Sequence, residues 1–68
     1  MEKYPLRLKE LRLAKGITQQ KLAIDLAMAQ NTISRYENGQ RQAGYQELIR
    51  IADYFHVSID YLLYHTVA

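Results

Sequence analysis

Residues 18–37 read T-Q-Q-K-L-A-I-D-L-A-M-A-Q-N-T-I-S-R-Y-E, and the alternation of apolar and polar positions in this stretch decides the fold. Thr18 is a residue type that caps a helix by accepting a backbone N–H, and Leu22, Ala23 and Leu26 then fall on one helical face. A second short helix is predicted over residues 30–37, where Ile33 and Tyr36 share a face while Gln30, Asn31, Ser34 and Arg35 spread over the others. Asn38 and Gly39 are a stop signal.

Upstream, Pro5 suits a first helical turn because its missing N–H would be unsatisfied there anyway. Leu8, Leu11 and Ala14 or Lys15 continue at helical spacing until Gly16, which predicts a helix over residues 5–15. Downstream of a polar loop at 40–44, Leu48, Ile51, Ala52 and Phe55 mark a fourth helix. Ser58 can cap a short fifth over residues 59–64. No strand, internal repeat, low-complexity stretch or long linker interrupts this pattern, so an all-α unit of five helices spanning residues 1–68 is expected.

Composition narrows the function classes. A chain of 68 residues hides only about 60% of the surface its unfolded form exposes, which leaves little room for a substrate cleft. Without cysteine there is no disulfide and no thiolate metal site, which fits a reducing cytoplasm. No apolar run approaches the ~20 residues of a bilayer span, and residues 1–9 lack the apolar block of a signal peptide, so no membrane partner is expected. The net charge of +2 is unevenly placed: residues 1–43 carry about +4 and residues 44–68 about −2. A basic face toward phosphate would produce this split, as would a scatter of surface charge.

Two short helices joined by about three residues are the supersecondary signature of a DNA-reading helix pair. The residues are more specific than the geometry. G-I-T-Q-Q-K-L-A-x-x-L at 16–26 and N-T-I-S-R-Y-E-N-G-Q-R at 31–41 resemble the phage repressor and Cro type of helix-turn-helix regulator, the XRE family. The likeness runs from Leu8 through V-S-I-D-Y-L-L at 57–63. It implies a compact five-helix fold like that of lambda repressor and a transcriptional regulator, a repressor, that binds double-stranded DNA; a homodimer is expected from size, because one such module buries only about 600–1,000 Å² against DNA.

Residue chemistry and the resemblance together assign roles. Gln30 and Asn31 open the recognition helix, and an amide there can pair bidentately with adenine; Arg35 can address guanine in the same way. Thr32 is a further base-reading candidate through its hydroxyl. Phosphate contacts are expected from Thr18, Gln19, Ser34, Asn38, Gln40, Arg41 and Tyr45, with the glutamine also bracing the base-reading amide beside Gln30 or Asn31. Arg12 and Glu37 match positions that form a structural ion pair. Dimer contacts are expected within residues 57–68, from Ile59, Leu62, Leu63, Tyr64 and Val67.

Other readings compete. A polar run such as Gln30, Asn31, Ser34 and Arg35 is ordinarily a solvated helix face. Six tyrosines suggest base stacking, yet Tyr36, Tyr54 and Tyr61 occupy positions expected to pack between helices. Asp53 and His56, with Asp60 and His65, do not complete a metal shell, and no phosphate loop, nucleophile elbow or paired carboxylate points to catalysis. Neither metal nor cofactor is therefore expected. An antitoxin-like protein-interaction module is the alternative from another class. RNA is disfavoured because its deep, narrow groove excludes a recognition helix.

Four positions depart from the family pattern. Ala27 stands where glycine commonly makes the turn, Ala29 where serine or threonine caps, Ala43 where proline is frequent and His56 where glycine is frequent. They predict strained or weakly capped helix ends and a looser loop.

Overall fold

The computed structural model describes residues 6–63. Their five helices are α1 (Leu8–Lys15), α2 (Gln19–Leu26), α3 (Gln30–Glu37), α4 (Tyr45–Phe55) and α5 (Ile59–Leu62). Each inserts apolar side chains into one core: Leu8 from α1; Leu22, Ala23 and Leu26 from α2; Ile33 and Tyr36 from α3; Ile51 and Ala52 from α4; Leu62 from α5. Ala23 is small where α2 and α3 pack together, which lets the pair approach closely.

Local chemistry sets most of the helix ends. The Thr18 hydroxyl accepts from the Lys21 N–H at 3.0 Å and the Ser58 hydroxyl from the Tyr61 N–H at 3.0 Å, so both predicted caps form. Ala29 caps α3 without a side-chain bond, as its methyl dictates. Gly16 closes α1 at φ 74°, and Gly39 turns the chain beyond α3 at φ 72°. Ala27 and His56 close α2 and α4 in the same left-handed region, at φ 55° and 58°. There Cβ crowds the backbone, so both turns are held by the packing on either side of them.

The first helix starts later than its sequence predicts, at Leu8 in place of residue 5; Pro5 itself lies outside the described residues. Leu6 and Arg7 precede the helix, Arg7 as its N-cap, and their N–H groups serve tertiary partners. Leu6 donates to the Tyr36 carbonyl at 3.4 Å and Arg7 to the Leu62 carbonyl at 3.0 Å, which staples the leading segment to α3 and α5. The fifth helix stops at Leu62, with Leu63 as its cap; the predicted end at Tyr64 also lies outside the described residues.

Tyr36 is buried and Tyr54 and Tyr61 are half-buried between helices, the packing positions expected of them. Tyr61 carries Arg7 over its ring at 4.4 Å. No helix among the described residues is long and apolar enough to cross a membrane.

Candidate nucleic-acid interface

The helix α3 divides cleanly into two sides. At about 100° per residue, Ile33, Tyr36 and Glu37 occupy one arc and are all buried. Gln30, Asn31, Ser34, Arg35 and Asn38 occupy the opposite arc, and all but the half-buried Ser34 are exposed. Thr32 lies at the flank of that arc and is half-buried, so it is less open to an incoming molecule than Asn31 or Arg35. The outward arc therefore carries amides, a hydroxyl and a guanidinium, and no acid.

Glu37 is the sole acid of α3 and would repel phosphate if it faced outward. It is instead 7% exposed and held by Arg12 through two hydrogen bonds, Nε to Oε2 at 2.7 Å and Nη2 to Oε1 at 3.2 Å. The expected pairing of these two residues is thus present in the structure. The hydrogen bonds to Glu37 raise the Arg12 pKa from its ordinary value, outweighing the opposing effect of burial. Arg12 also donates Nη1 to the Ile17 carbonyl at 3.1 Å, so one guanidinium ties α1 to the turn before α2 and to the last residue of α3.

Gln19 departs from its expected partner. Its Nε2 donates to Glu37 Oε1 at 3.0 Å, so the amide is drawn to the far end of α3 from Gln30 and Asn31 and does not brace them. The reason is electrostatic: a carboxylate accepts a stronger hydrogen bond than a neutral amide does. Thr18 is exposed beside it, with its hydroxyl already accepting from the Lys21 N–H.

The remaining expected phosphate contacts lie along the loop after α3. Asn38 donates weakly to the Ser34 hydroxyl at 3.4 Å, and the Gln40 N–H bonds the Arg35 carbonyl at 2.9 Å, folding the loop back on the helix. Gln40 and Arg41 are exposed. Tyr45 opens α4 with 73% of its surface exposed, which is unusual for a large ring and leaves its hydroxyl accessible.

Two features of the structure had no place in the sequence reading. The Tyr54 hydroxyl donates to Asp25 Oδ2 at 2.6 Å, and Lys21 pairs with Asp25 Oδ1 at 3.1 Å. The four-residue spacing of Lys21 and Asp25 was a visible signal for the second link; nothing local could signal the first, which joins residues 29 positions apart. Lys15 adds a cation over the Tyr54 ring at 5.1 Å.

Among the expected dimer contacts, Leu62 is corrected. Its side chain is 0% exposed inside the protomer core and has no surface to give a partner. Ile59 and Leu63 are half-buried, and Tyr64 and Val67 lie outside the described residues. Asp53 and His56 are exposed, and no group of three or more metal-binding side chains occurs among the described residues.

Comparison with known proteins agrees with this geometry. Residues 8–62 match the family described as helix-turn-helix. The chain is 41% identical over 56 residues to the HTH-type transcriptional regulator YqaE of Bacillus subtilis, covering 82% of this chain and 48% of that protein. It is 39% identical over 57 residues to the HTH-type transcriptional regulator ImmR of the same organism, covering 84% of this chain and 45% of that protein. The chain thus spans about half the length of these curated relatives. Its fold is similar to that of the restriction-modification controller protein C.AhdI from Aeromonas hydrophila, with a TM-score of 0.75, 30% identity, and coverage of 84% of this chain and 86% of that one. A transcriptional regulator from Listeria innocua superposes with a TM-score of 0.79 at 26% identity, covering 96% of this chain and 64% of that one. These matches make the chain a member of the XRE/Cro/C1-type helix-turn-helix family of DNA-binding transcriptional regulators.

Proposed function

We infer that this chain is a cytoplasmic, sequence-specific repressor that binds double-stranded DNA as a homodimer. The observation that carries this reading is the outward arc of α3, where Gln30, Asn31 and Arg35 stand exposed while the one acid of the helix is turned inward. Gln30 and Asn31 read adenine edges and Arg35 a guanine edge in the major groove, with Thr32 a flanking contact. Thr18, Gln19, Ser34, Asn38, Gln40, Arg41 and Tyr45 set register on the phosphates.

One such module buries only about 600–1,000 Å² against DNA, which favours two copies on a two-fold operator with half-sites about 34 Å apart. Ile59 and Leu63 would contribute to the contact between copies, together with residues of the 64–68 segment. Repression follows when the bound dimer blocks polymerase.

Selection of bound duplexes from a random pool tests the reading as a whole. Recovered sequences should contain two inverted half-sites at one-turn spacing. Sedimentation should show a dimer at high protein concentration or on the recovered duplex. A pool that never enriches, or a strict monomer with and without DNA, contradicts the reading.

A further inference from the structure

The carboxylate of Glu37 accepts three hydrogen bonds, two from Arg12 and one from Gln19 at 3.0 Å. Among the described residues, no buried side-chain nitrogen or oxygen lacks a partner, so this cluster is internally complete. An ionised carboxylate only accepts. The Gln19 amide must therefore turn its NH2 group toward Glu37 and its carbonyl oxygen away. One hydrogen of that NH2 is engaged, and the second remains available to another molecule.

Position gives that hydrogen a use. Gln19 is half-buried at the first residue of α2, next to the capping Thr18, and α2 is the helix packed against the outward-facing α3. A glutamine free in solvent loses rotamer freedom when it makes a contact, whereas one already gripped by Glu37 has lost it on folding. Arg12 completes the device, because an unneutralised carboxylate at this place would repel a phosphate.

We propose that Glu37, paired with Arg12, is a positioning residue for DNA binding: it holds the Gln19 side chain so that its second N–H meets a backbone phosphate oxygen of duplex DNA. The proposal rests on the reading of the chain as a DNA-binding protein. It gives the ion pair a role in binding beyond its role in folding. Because the glutamine is neutral, the contact strengthens binding without releasing a counterion, unlike one made by an arginine.

The test uses the full chain, the duplex recovered by selection and an unrelated duplex. Gln19→Ala should weaken binding to both about tenfold, the scale of one hydrogen bond to a charged group, with an unchanged salt slope. The double substitution Arg12→Met/Glu37→Met removes the grip while filling the space with apolar side chains of similar length, a replacement that folded proteins often tolerate. It should weaken binding by the same factor, and adding Gln19→Ala to it should cost less than about twofold more.

Penalties that multiply in the triple variant overturn the proposal, as does a Gln19→Ala protein that binds like the wild type. A wild-type protein that binds neither duplex overturns the DNA reading itself. If the methionine pair does not fold, 15N relaxation of the Gln19 side-chain amide in the unmodified protein decides. An order parameter near the rigid-backbone value of about 0.85 is expected, and one below about 0.6 overturns the proposal.

Discussion

The Tyr54 hydroxyl on α4 donates to the Asp25 carboxylate on α2 at 2.6 Å, and this bond links α4 to the helix that packs against α3. It lowers the Asp25 pKa below the usual 3.8, with the Lys21 hydrogen bond as the next cause, and it raises the Tyr54 pKa above the usual 10.0. The linkage has opposite signs at the two ends of the pH scale. The Asp25 contribution is complete above pH 3.8 and is lost as pH falls through its lowered folded value. The Tyr54 contribution is complete below pH 10.0 and is lost as pH rises through its raised folded value. Tyr54→Phe should move the Asp25 titration, followed by carboxyl NMR, back up toward the ordinary range. An unmoved titration would mean the bond does not form in solution.

Arg12 and Glu37 sit 25 residues apart with side chains 11% and 2% exposed, so each charge depends on the other. Glu37→Ala or Arg12→Ala alone should destabilise the fold by about 3–5 kcal/mol by leaving a buried charge unpaired. A chain of this size has a total stability of roughly 3–10 kcal/mol, so the loss takes a large share of it. Urea denaturation checks this. Losses below about 1 kcal/mol, the range of a surface pair, would contradict the buried pairing.

Ala27 and His56 both hold φ near 55–58°, where a side chain is strained. Ala27→Gly and His56→Gly should each stabilise the protein by about 0.5–1 kcal/mol, the relief of left-handed strain less the greater freedom of glycine in the unfolded chain. Thermal melts of the two variants measure it. A lower melting temperature in both would show that neither turn is left-handed in solution.

Arg41→Ala should weaken binding to all duplexes alike and flatten the salt dependence by about one unit of slope, since a phosphate contact carries charge but no sequence information. Anisotropy titrations over a salt series separate this from base reading. A change in sequence preference without a change in slope would move Arg41 to the base-reading group.

How far the fold was legible depended on where each decision was made. The ends of α2 and α3 were legible because caps, stops and apolar spacing are local: Thr18 caps by its own hydroxyl, and Gly39 turns because it lacks Cβ. The start of α1 was not: Pro5 permits a helix from residue 5, whereas the helix begins at Leu8, after a segment whose N–H groups bond the Tyr36 and Leu62 carbonyls, contacts that leave no local mark. The α5 helix spans four residues, too few for a period to say which of Ile59, Leu62 and Leu63 turns inward, and Leu62 does. At the interface, the polar face of α3 could be read from spacing, and the pairing of Arg12 with Glu37 followed from family resemblance. The attachment of Gln19 to Glu37 is a tertiary choice between two acceptors and leaves no local mark.

If the outward arc of α3 reads bases, the ratio of affinities for the selected and an unrelated duplex depends on its side chains. At fixed salt, Asn31→Ala and Arg35→Ala should each reduce that ratio by about 1–3 kcal/mol. Most of the loss should fall on the selected duplex. Equal losses on both duplexes would make these residues phosphate contacts, and an unchanged ratio in both variants would remove α3 from base reading.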